Sequence, residues 1–288
     1  MVIRRVLRRF SLGALCIAVL LLSPAGTMAQ DPETSEPTEE PTPESTAASD
    51  NGAENLFDLG FQRIETPVGD FVTTLLGYTR AFRGNMSFSA SVTFNYADAF
   101  RSTDQGYTKE RHFGLGDTIL IYSYVPGQKV TAQPWVPKSA GFSVLLIVPT
   151  GKAADLLGGD QWVFSPQAGW VVSFAEHFTL LPALRYTTSF AEGNLAKPVE
   201  ELSAEFIVVW AHDSGWWIDY TGDIVRDFRR DDWRYDDTFS VGKMFGSRFG
   251  LSVAYGVLDR VDPTSIRDDN QWMLFFHYVM PNRGGKGP

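Results

Sequence analysis

The sequence predicts an all-β chain that forms a transmembrane, antiparallel up-and-down β-barrel of about 12 strands in an outer membrane. Three observations lead to this prediction: segments of about ten residues with alternating hydrophobicity, a heavy aromatic load on one face of these segments, and an export signal before them. A soluble, exported β-sandwich would show the same alternation and is the alternative fold.

Residues 86–96 show the alternation most clearly. In a β-strand, successive side chains point to opposite faces, so a strict alternation means that the two faces meet different surroundings. Here one face suits lipid and the other suits a polar interior. The first face carries Met86, Phe88, Ala90, Val92, Phe94 and Tyr96, and the second carries Ser87, Ser89, Ser91, Thr93 and Asn95.

Residues 1–29 have the three parts of a secretory signal peptide. Four arginines precede an apolar run that is too short to span a bilayer as a helix, and Ala29 precedes the predicted cleavage before Gln30. An uncleaved membrane anchor is the alternative. Because the only cysteine, Cys16, lies in this segment, the mature chain is expected to have no disulfide and no thiolate metal site.

Residues 30–56 are predicted to be a disordered acidic linker rich in Pro, Glu and Thr. It has too few apolar side chains to offset the entropy of ordering, so it is expected to be a flexible tail, or else a periplasmic tether. The barrel is predicted over 57–280 and a short polar tail over 281–288.

The charge of the chain argues against nucleic acid as a partner. The full chain has a formal net charge of −9, and loss of the signal peptide removes four arginines and no acid. The mature chain is therefore more acidic still, and an acidic protein repels phosphate backbones.

Twelve strands are predicted from the alternation and the turn residues between them. The strand near 57–65 has the weakest pattern, but an even strand number requires it. The twelve segments lie near 57–65, 70–82, 86–97, 115–125, 139–149, 162–174, 177–189, 201–211, 215–226, 236–245, 249–259 and 270–280.

The connections alternate between tight turns and longer charged segments. Outer-membrane barrels keep short turns on the periplasmic side and long loops outside, so the N-terminal linker is expected in the periplasm. The connection 126–138 breaks this pattern because it is long where a short turn is expected. The predicted outer loops are 98–114, 150–161, 190–200, 227–235 and 260–269.

Two prolines fall inside predicted strands. Proline has no backbone N–H and therefore removes a hydrogen bond from the ladder. Pro166 and Pro182 are expected to mark bulges or kinks.

Charged residues on the polar faces of the strands are the candidate functional residues. A charge facing lipid near the bilayer centre would cost about 2–4 kcal/mol, so these side chains are expected to face the lumen. The lumen-lining candidates are Asp117, Arg185, Glu205, Asp219, Asp223 and His277.

Two roles are open for these residues. Arg185 could neutralise nearby carboxylates in a network that fills a narrow barrel, or the charges could form a constriction that selects solutes. Arg185 and Glu205 lie on consecutive predicted strands and are the expected ion pair.

The segment 226–237 is dense in mixed charge and is predicted to be an outer loop. Its central cluster consists of Arg229, Arg230, Asp231 and Asp232. A solvated loop is one interpretation, and contact with lipopolysaccharide phosphates through the two arginines is the other.

No catalytic or metal site is predicted. A barrel hydrolase needs a His beside a Ser, or two acids, at the outer rim, and no such spacing accompanies the four histidines. No two histidines share a strand face at ligand spacing, so neither a metal nor another cofactor is expected.

Three stretches together resemble a known outer-membrane family. They are Phe113-Gly114-Leu115-Gly116-Asp117, residues 144–152 with the sequence VLLIVPTGK, and Gln167-Ala168-Gly169-Trp170. A GLGD segment followed by a PTG strand end is similar to the family named for the meta-pathway of phenol degradation. This resemblance covers about residues 110–280. It implies a transporter of aromatic or other hydrophobic compounds, without catalytic residues.

The expected function is an outer-membrane channel or transporter for small molecules, with membrane lipid and the outer-membrane assembly machinery as partners. A structural barrel with a plugged lumen is the alternative, and a lipid-modifying enzyme is the third. Assembly machinery usually reads a C-terminal aromatic residue. Here a tail follows the last strand, so that signal is either missing or lies inward at Phe276 and Tyr278.

Overall fold

The computed structural model of the chain describes residues 55–66, 69–82, 86–103, 106–125, 139–152, 157–175, 177–193, 198–260 and 269–280. All regular secondary structure in these ranges is β-strand. The strands are β1 (Asn55–Thr66), β2 (Gly69–Phe82), β3 (Met86–Thr103), β4 (Gly106–Tyr124), β5 (Ser139–Val148), β6 (Gln161–Ala175), β7 (Phe178–Glu192), β8 (Glu200–Ala211), β9 (Trp216–Asp227), β10 (Asp232–Phe245), β11 (Phe249–Arg260) and β12 (Asp269–Met280).

The strands form one closed barrel. Each strand pairs antiparallel with its neighbours in sequence, and β1 pairs with β12. The closing ladder runs from the pair Asn55↔Met280 to the pair Glu65↔Asn270. Closure gives every strand a pairing partner on both sides, as a hydrocarbon environment demands. The predicted fold class is confirmed. No helix among the described residues is long and apolar enough to cross a membrane.

The two faces of the wall differ in the way the alternation predicts. In β3, Ser87 and Ser91 are buried inside the barrel, whereas Phe88 and Phe94 are 39% and 37% exposed on the outside. Large apolar side chains are exposed around the whole outer surface, and most buried serines, threonines and glutamines face inward. An apolar outside and a polar inside reverse the arrangement of a soluble protein and suit a protein surrounded by lipid.

The β3–β4 hairpin is longer than predicted. Residues 98–114 were expected to be an outer loop, but the ladder continues to the pair Thr103↔Gly106. The prediction was wrong because the charges in this stretch were attributed to a loop. Asp98 and Arg111 instead lie directly opposite each other, with 3.3 Å between Arg111 Nε and Asp98 Oδ2. Opposite charges at such a position stabilise the strand pair.

The predicted loop 227–235 is also mostly strand. β9 ends at Asp227 and β10 begins at Asp232, so only residues 228–231 form the turn between them. Asp231 has a φ of 57° in this turn, a conformation that Asp tolerates better than most residues because its short side chain bonds locally. The charges of this segment therefore belong largely to the barrel wall.

A β-bulge lies in β4 at the GLGD segment. Val92 pairs with Thr118 and Phe94 with Leu115, so Thr93 faces two residues of β4, Gly116 and Asp117. A bulge changes which side chains point inward along a strand. Both bulged residues are buried inside the barrel.

The two strand prolines interrupt the ladder without shifting its register. In the β6–β7 pairing, the positions of Pro166 and Pro182 are skipped, while the residues on either side keep one register. The register shifts of this ladder lie elsewhere, near Gln161 and near Ala175. The prolines therefore mark missing hydrogen bonds and not bulges.

Several predictions concern segments outside the described residues. These are the signal peptide 1–29, nearly all of the linker 30–56, the connection 126–138 and the tail 281–288. The first strand begins at Asn55, two residues before the predicted start of the barrel.

The outward face of β11 offers a test of lipid contact. Val253 lies near the middle of this strand and is 42% exposed. The substitution Val253→Arg should destabilise the barrel by about 2–4 kcal/mol, because it places a charge in the hydrocarbon. Urea unfolding of the protein refolded into lipid vesicles measures this loss. Val253→Thr is the control, with little expected change, and equal stability of the arginine variant would contradict lipid contact at this position.

Candidate functional site: a charged network in the barrel lumen

Arg185 of β7 is the centre of an ion-pair network inside the barrel. Its Nη1 lies 3.4 Å from Glu205 Oε2, and its Nη2 forms an ion pair with Asp223. Its Nε donates to Ser203 Oγ at 3.2 Å. Strand register produces this arrangement, because Arg185 lies opposite Ser203, and Glu205 lies opposite Asp223.

The network extends to β6. Gln167 donates from Nε2 to Glu205 Oε1 at 3.1 Å and lies opposite Arg185 in the β6–β7 ladder. Glu205 and Asp223 are 2% and 4% exposed. Since buried carboxylates are costly without a partner, the arginine and the amide stabilise both of them. The expected pair of Arg185 and Glu205 is present, and Asp223 joins it.

A second arginine network lies farther along the same wall. Arg234 of β10 donates from both Nη atoms to the two carboxylate oxygens of Glu201, each at 3.1 Å. Its Nε donates to Asp236 at 3.2 Å. A two-point contact of this kind fixes both side chains. The sequence analysis missed Arg234 because it placed residues 227–235 in a loop. Glu201 lies in a predicted strand, on the same face as Glu205, but without Arg234 it had no visible partner.

Asp223 has two partners in the first network. It forms an ion pair with Arg185 and accepts a hydrogen bond from the side chain of Ser203. It lies on the inner face of the barrel, so its carboxylate is one of the fixed charges of the lumen.

Acids outnumber bases in the described part of the lumen. Three arginines, Arg185, Arg230 and Arg234, reach the buried acids of the wall. The acids that are less than 9% exposed are Asp117, Glu201, Glu205, Asp219, Asp223 and Asp227. An excess of fixed negative charge in a low-dielectric enclosure attracts cations and repels anions.

Asp219 and His277 lie apart from the Arg185 network. Asp219 accepts a hydrogen bond from Ser240 on β10. His277 Nδ1 lies 2.7 Å from Asp58 Oδ1, and its Nε2 lies 3.1 Å from Ser252 Oγ. The two contacts of His277 connect β12 with β11 and with β1 on the inner face. The structure thus divides the six candidates among four environments, and Asp117 occupies the fourth, beside the β5–β6 connection.

The outer cluster is tied to the barrel wall by ion pairs. Arg229 Nε lies 3.0 Å from Glu200 Oε2, and Arg230 Nε lies 3.5 Å from Asp227 Oδ2. Asp231 forms an ion pair with Arg226. The charged side chains Arg229, Arg230 and Asp231 of the turn are therefore paired with residues of the same chain. Among the described residues, no group of three or more His, Cys, Asp or Glu is arranged to hold a metal ion.

One side of the lumen is apolar, which the sequence reasoning did not anticipate. Two aliphatic clusters are buried there, because stretches such as 144–148 and 206–210 have apolar residues at consecutive positions and so present apolar side chains to both faces of the wall. These uninterrupted apolar stretches were the sequence signal for an apolar inner surface. The first cluster is Ile119, Ile121, Ile147 and Val163, and the second is Val171, Leu181, Ile207 and Val209.

A small recess of about 40 Å³ lies beside the second cluster, on the inner wall between β4 and β8. Gly141, Gly169 and Ala183 lie opposite one another in register and leave the space open. Glu205 and Gln167 line the recess together with Leu181 and Ile207, among other residues. The recess therefore presents an apolar surface and a carboxylate to the same volume.

The Arg185 network yields a stability prediction. Arg185→Met should destabilise the barrel by about 3–5 kcal/mol, because it leaves two buried carboxylates without their cation. Urea unfolding in lipid vesicles measures the loss. The triple variant Arg185→Met, Glu205→Gln, Asp223→Asn removes all three charges and should recover most of it. A single variant as stable as the wild type would show that Arg185 does not compensate these acids.

Comparison with protein-family models and with curated proteins finds no match, whereas solved structures share the fold. An outer membrane channel from Pseudomonas putida F1 has a TM-score of 0.59 at 14% identity, over 84% of this chain and 100% of that chain. The NanC porin has a TM-score of 0.52 at 10% identity, over 78% and 100% of the two chains. The KdgM porin has a TM-score of 0.50 at 11% identity, over 78% and 99%. At these identities the likeness establishes the fold, which is one that outer-membrane channels use.

Proposed function

We propose that this chain is an outer-membrane channel for small molecules and that its lumen prefers cations. The observation that carries the proposal is the acid-rich network around Arg185 and Arg234 inside a closed barrel with an apolar exterior. Fixed charges in a narrow polar path select permeating ions and solutes by sign. The solved channels with the same fold support this function.

Localisation follows from the same features. The apolar outer surface requires lipid, and the predicted signal peptide directs export, so we place the barrel in the outer membrane. The tight turns at residues 212–215 and 246–248 lie at the same end of the barrel as Asn55 and Met280, because the strands alternate in direction. In this proposal that end faces the periplasm, because outer-membrane barrels keep their short turns there. Assembly then requires the outer-membrane assembly machinery.

The solute has both apolar and polar character in this proposal. The aliphatic clusters and the recess near Glu205 offer surface to a hydrophobic body, and the serine-rich wall of β3 offers hydrogen bonds. The resemblance to the family named for phenol degradation supports small hydrophobic or aromatic compounds. The proposed function is transport, and it includes no enzymatic reaction.

A structural barrel with a plugged lumen is the second candidate. The observation that favours it is the dense bonding of the lumen charges, since Arg185 alone contacts Ser203, Glu205 and Asp223. Such a network stabilises a filled interior without any flow.

Conductance of the refolded protein in a planar bilayer separates the two candidates. We expect single-channel steps with a reversal potential that reports cation preference under a salt gradient. Asp223→Asn should move this potential towards zero, because it removes one fixed negative charge from the inner face of the barrel.

Asp213→Asn is the matched control for this measurement. Asp213 is exposed in the turn between β8 and β9, so the same loss of charge occurs away from the Arg185 network. It should leave the reversal potential nearly unchanged. If wild type and both variants are silent while their β-structure is intact, the lumen is closed and the structural role is correct.

A further inference from the structure

Asp117 is aimed into the lumen by the bulge in β4. Thr93 of β3 donates from Oγ1 to the backbone carbonyl of Asp117 at 2.9 Å, which fixes the bulge. Gly116 is required beside it, because a Cβ at this position would overlap the side chains of Thr93 and Asn95. The GLGD sequence therefore turns a carboxylate inward at the point where the β4–β5 ladder stops, at the pair Thr118↔Val148.

The Asp117 carboxylate binds both arms of the connection between β5 and β6. Its Oδ1 accepts the backbone N–H of Gly151 at 3.1 Å, and its Oδ2 accepts the backbone N–H of Gly159 at 2.8 Å. Hydrogen bonds to a charged acceptor are stronger than neutral ones. One side chain thus joins the start and the end of the same connection.

Two further contacts hold these arms. Thr150 donates from Oγ1 to the carbonyl of Gly116 at 2.7 Å, on the first arm. Asn95 of β3 donates from Nδ2 to the carbonyl of Leu157 at 2.7 Å, on the second. Asn95 and Asp117 are inner-face residues, so the backbone they bind lies on the lumen side of β3 and β4.

The arms pack closely against each other and against the wall. A Cβ at Gly158 would lie 2.8 Å from Gly151 Cα, and a Cβ at Gly151 would lie 3.0 Å from the carbonyl carbon of Gly116. Leu157 is only 4% exposed. The described parts of the connection are therefore a packed element inside the outer mouth, where a solvated outer loop was predicted.

We propose that Asp117 is a positioning residue that anchors the two described arms of the β5–β6 connection, residues 149–152 and 157–160, inside the outer mouth of the barrel, and that these arms limit the size of the solutes that enter. The proposal rests on the channel function. Asp117 acts here through the backbone that it holds, because both of its oxygens accept backbone amides. The GLGD and PTG segments are two halves of one structural element.

The substitution Asp117→Asn tests the anchor. An amide offers one acceptor oxygen where the carboxylate offers two, so one arm of the connection loses its bond. Limited proteolysis with trypsin after Lys152, which is exposed on the first arm, reports the release. We expect cleavage faster by about tenfold or more, because a hydrogen bond to a charged group shifts a local opening equilibrium by that factor.

Asp219→Asn is the matched control, since it removes the same charge from a buried inner-face carboxylate whose hydrogen bond comes from Ser240. It should leave cleavage after Lys152 unchanged. In liposome swelling with sugars of increasing size, Asp117→Asn should admit larger sugars than the wild type and Asp219→Asn should not.

If the Asp117→Asn barrel folds and Lys152 is cleaved as slowly as in the wild type, Asp117 does not anchor the connection. If cleavage is faster but the largest sugar admitted is unchanged, the connection does not limit solute size. If no protein conducts or swells liposomes, the channel function fails, and the proteolysis still decides the anchor. Should Asp117→Asn not fold, Thr150→Val removes the bond to Gly116 from the same arm and is subject to the same outcomes.

Discussion

Closure of the sheet between β1 and β12 is the constraint on which the rest of this structure depends. In hydrocarbon, an unpaired strand edge would leave a row of donors and acceptors without water, at a cost of several kcal/mol for each group. The register from Asn55↔Met280 to Glu65↔Asn270 removes both edges. It also creates an enclosed interior, and that interior allows acids such as Glu205 to be buried far from lipid.

Inside the barrel, arginines compensate only part of the charge of the buried acids. Arg185 and Arg234 each hold carboxylates from neighbouring strands, which reduces the cost of burying them. The buried acids still exceed the arginines that reach them, so the lumen keeps a net negative charge. Fixed charge of one sign along an enclosed path selects ions and solutes by sign. This imbalance is the main physical reason to propose a permeation function.

The alternation of apolar and polar residues predicted most strands of the barrel wall and the direction of their side chains. The prediction failed where the two-residue period was interrupted. The β3 segment was predicted correctly because Ser87 to Asn95 alternate without interruption. The bulge at Gly116 and Asp117 was not predictable, since it depends on pairing with Thr93. Arg234 was assigned to a loop because local charge density cannot show that Glu201 lies across the lumen wall. The alternation that places Asp117 and Glu205 inward also places Ile119 and Ile207 inward, but hydrophobicity alone does not distinguish lipid from an apolar interior.

The sequence spacing of the lumen ion pairs has a consequence for assembly. Arg185 and Asp223 are 38 residues apart, and Arg234 and Glu201 are 33 apart. The contacts across the closing seam, such as Asp58 with His277, join residues 219 apart. Local contacts form sooner than distant ones, because less chain entropy is lost in making them. The four strands β7–β10 can therefore neutralise their charges as a unit, before the first and last strands of the barrel meet.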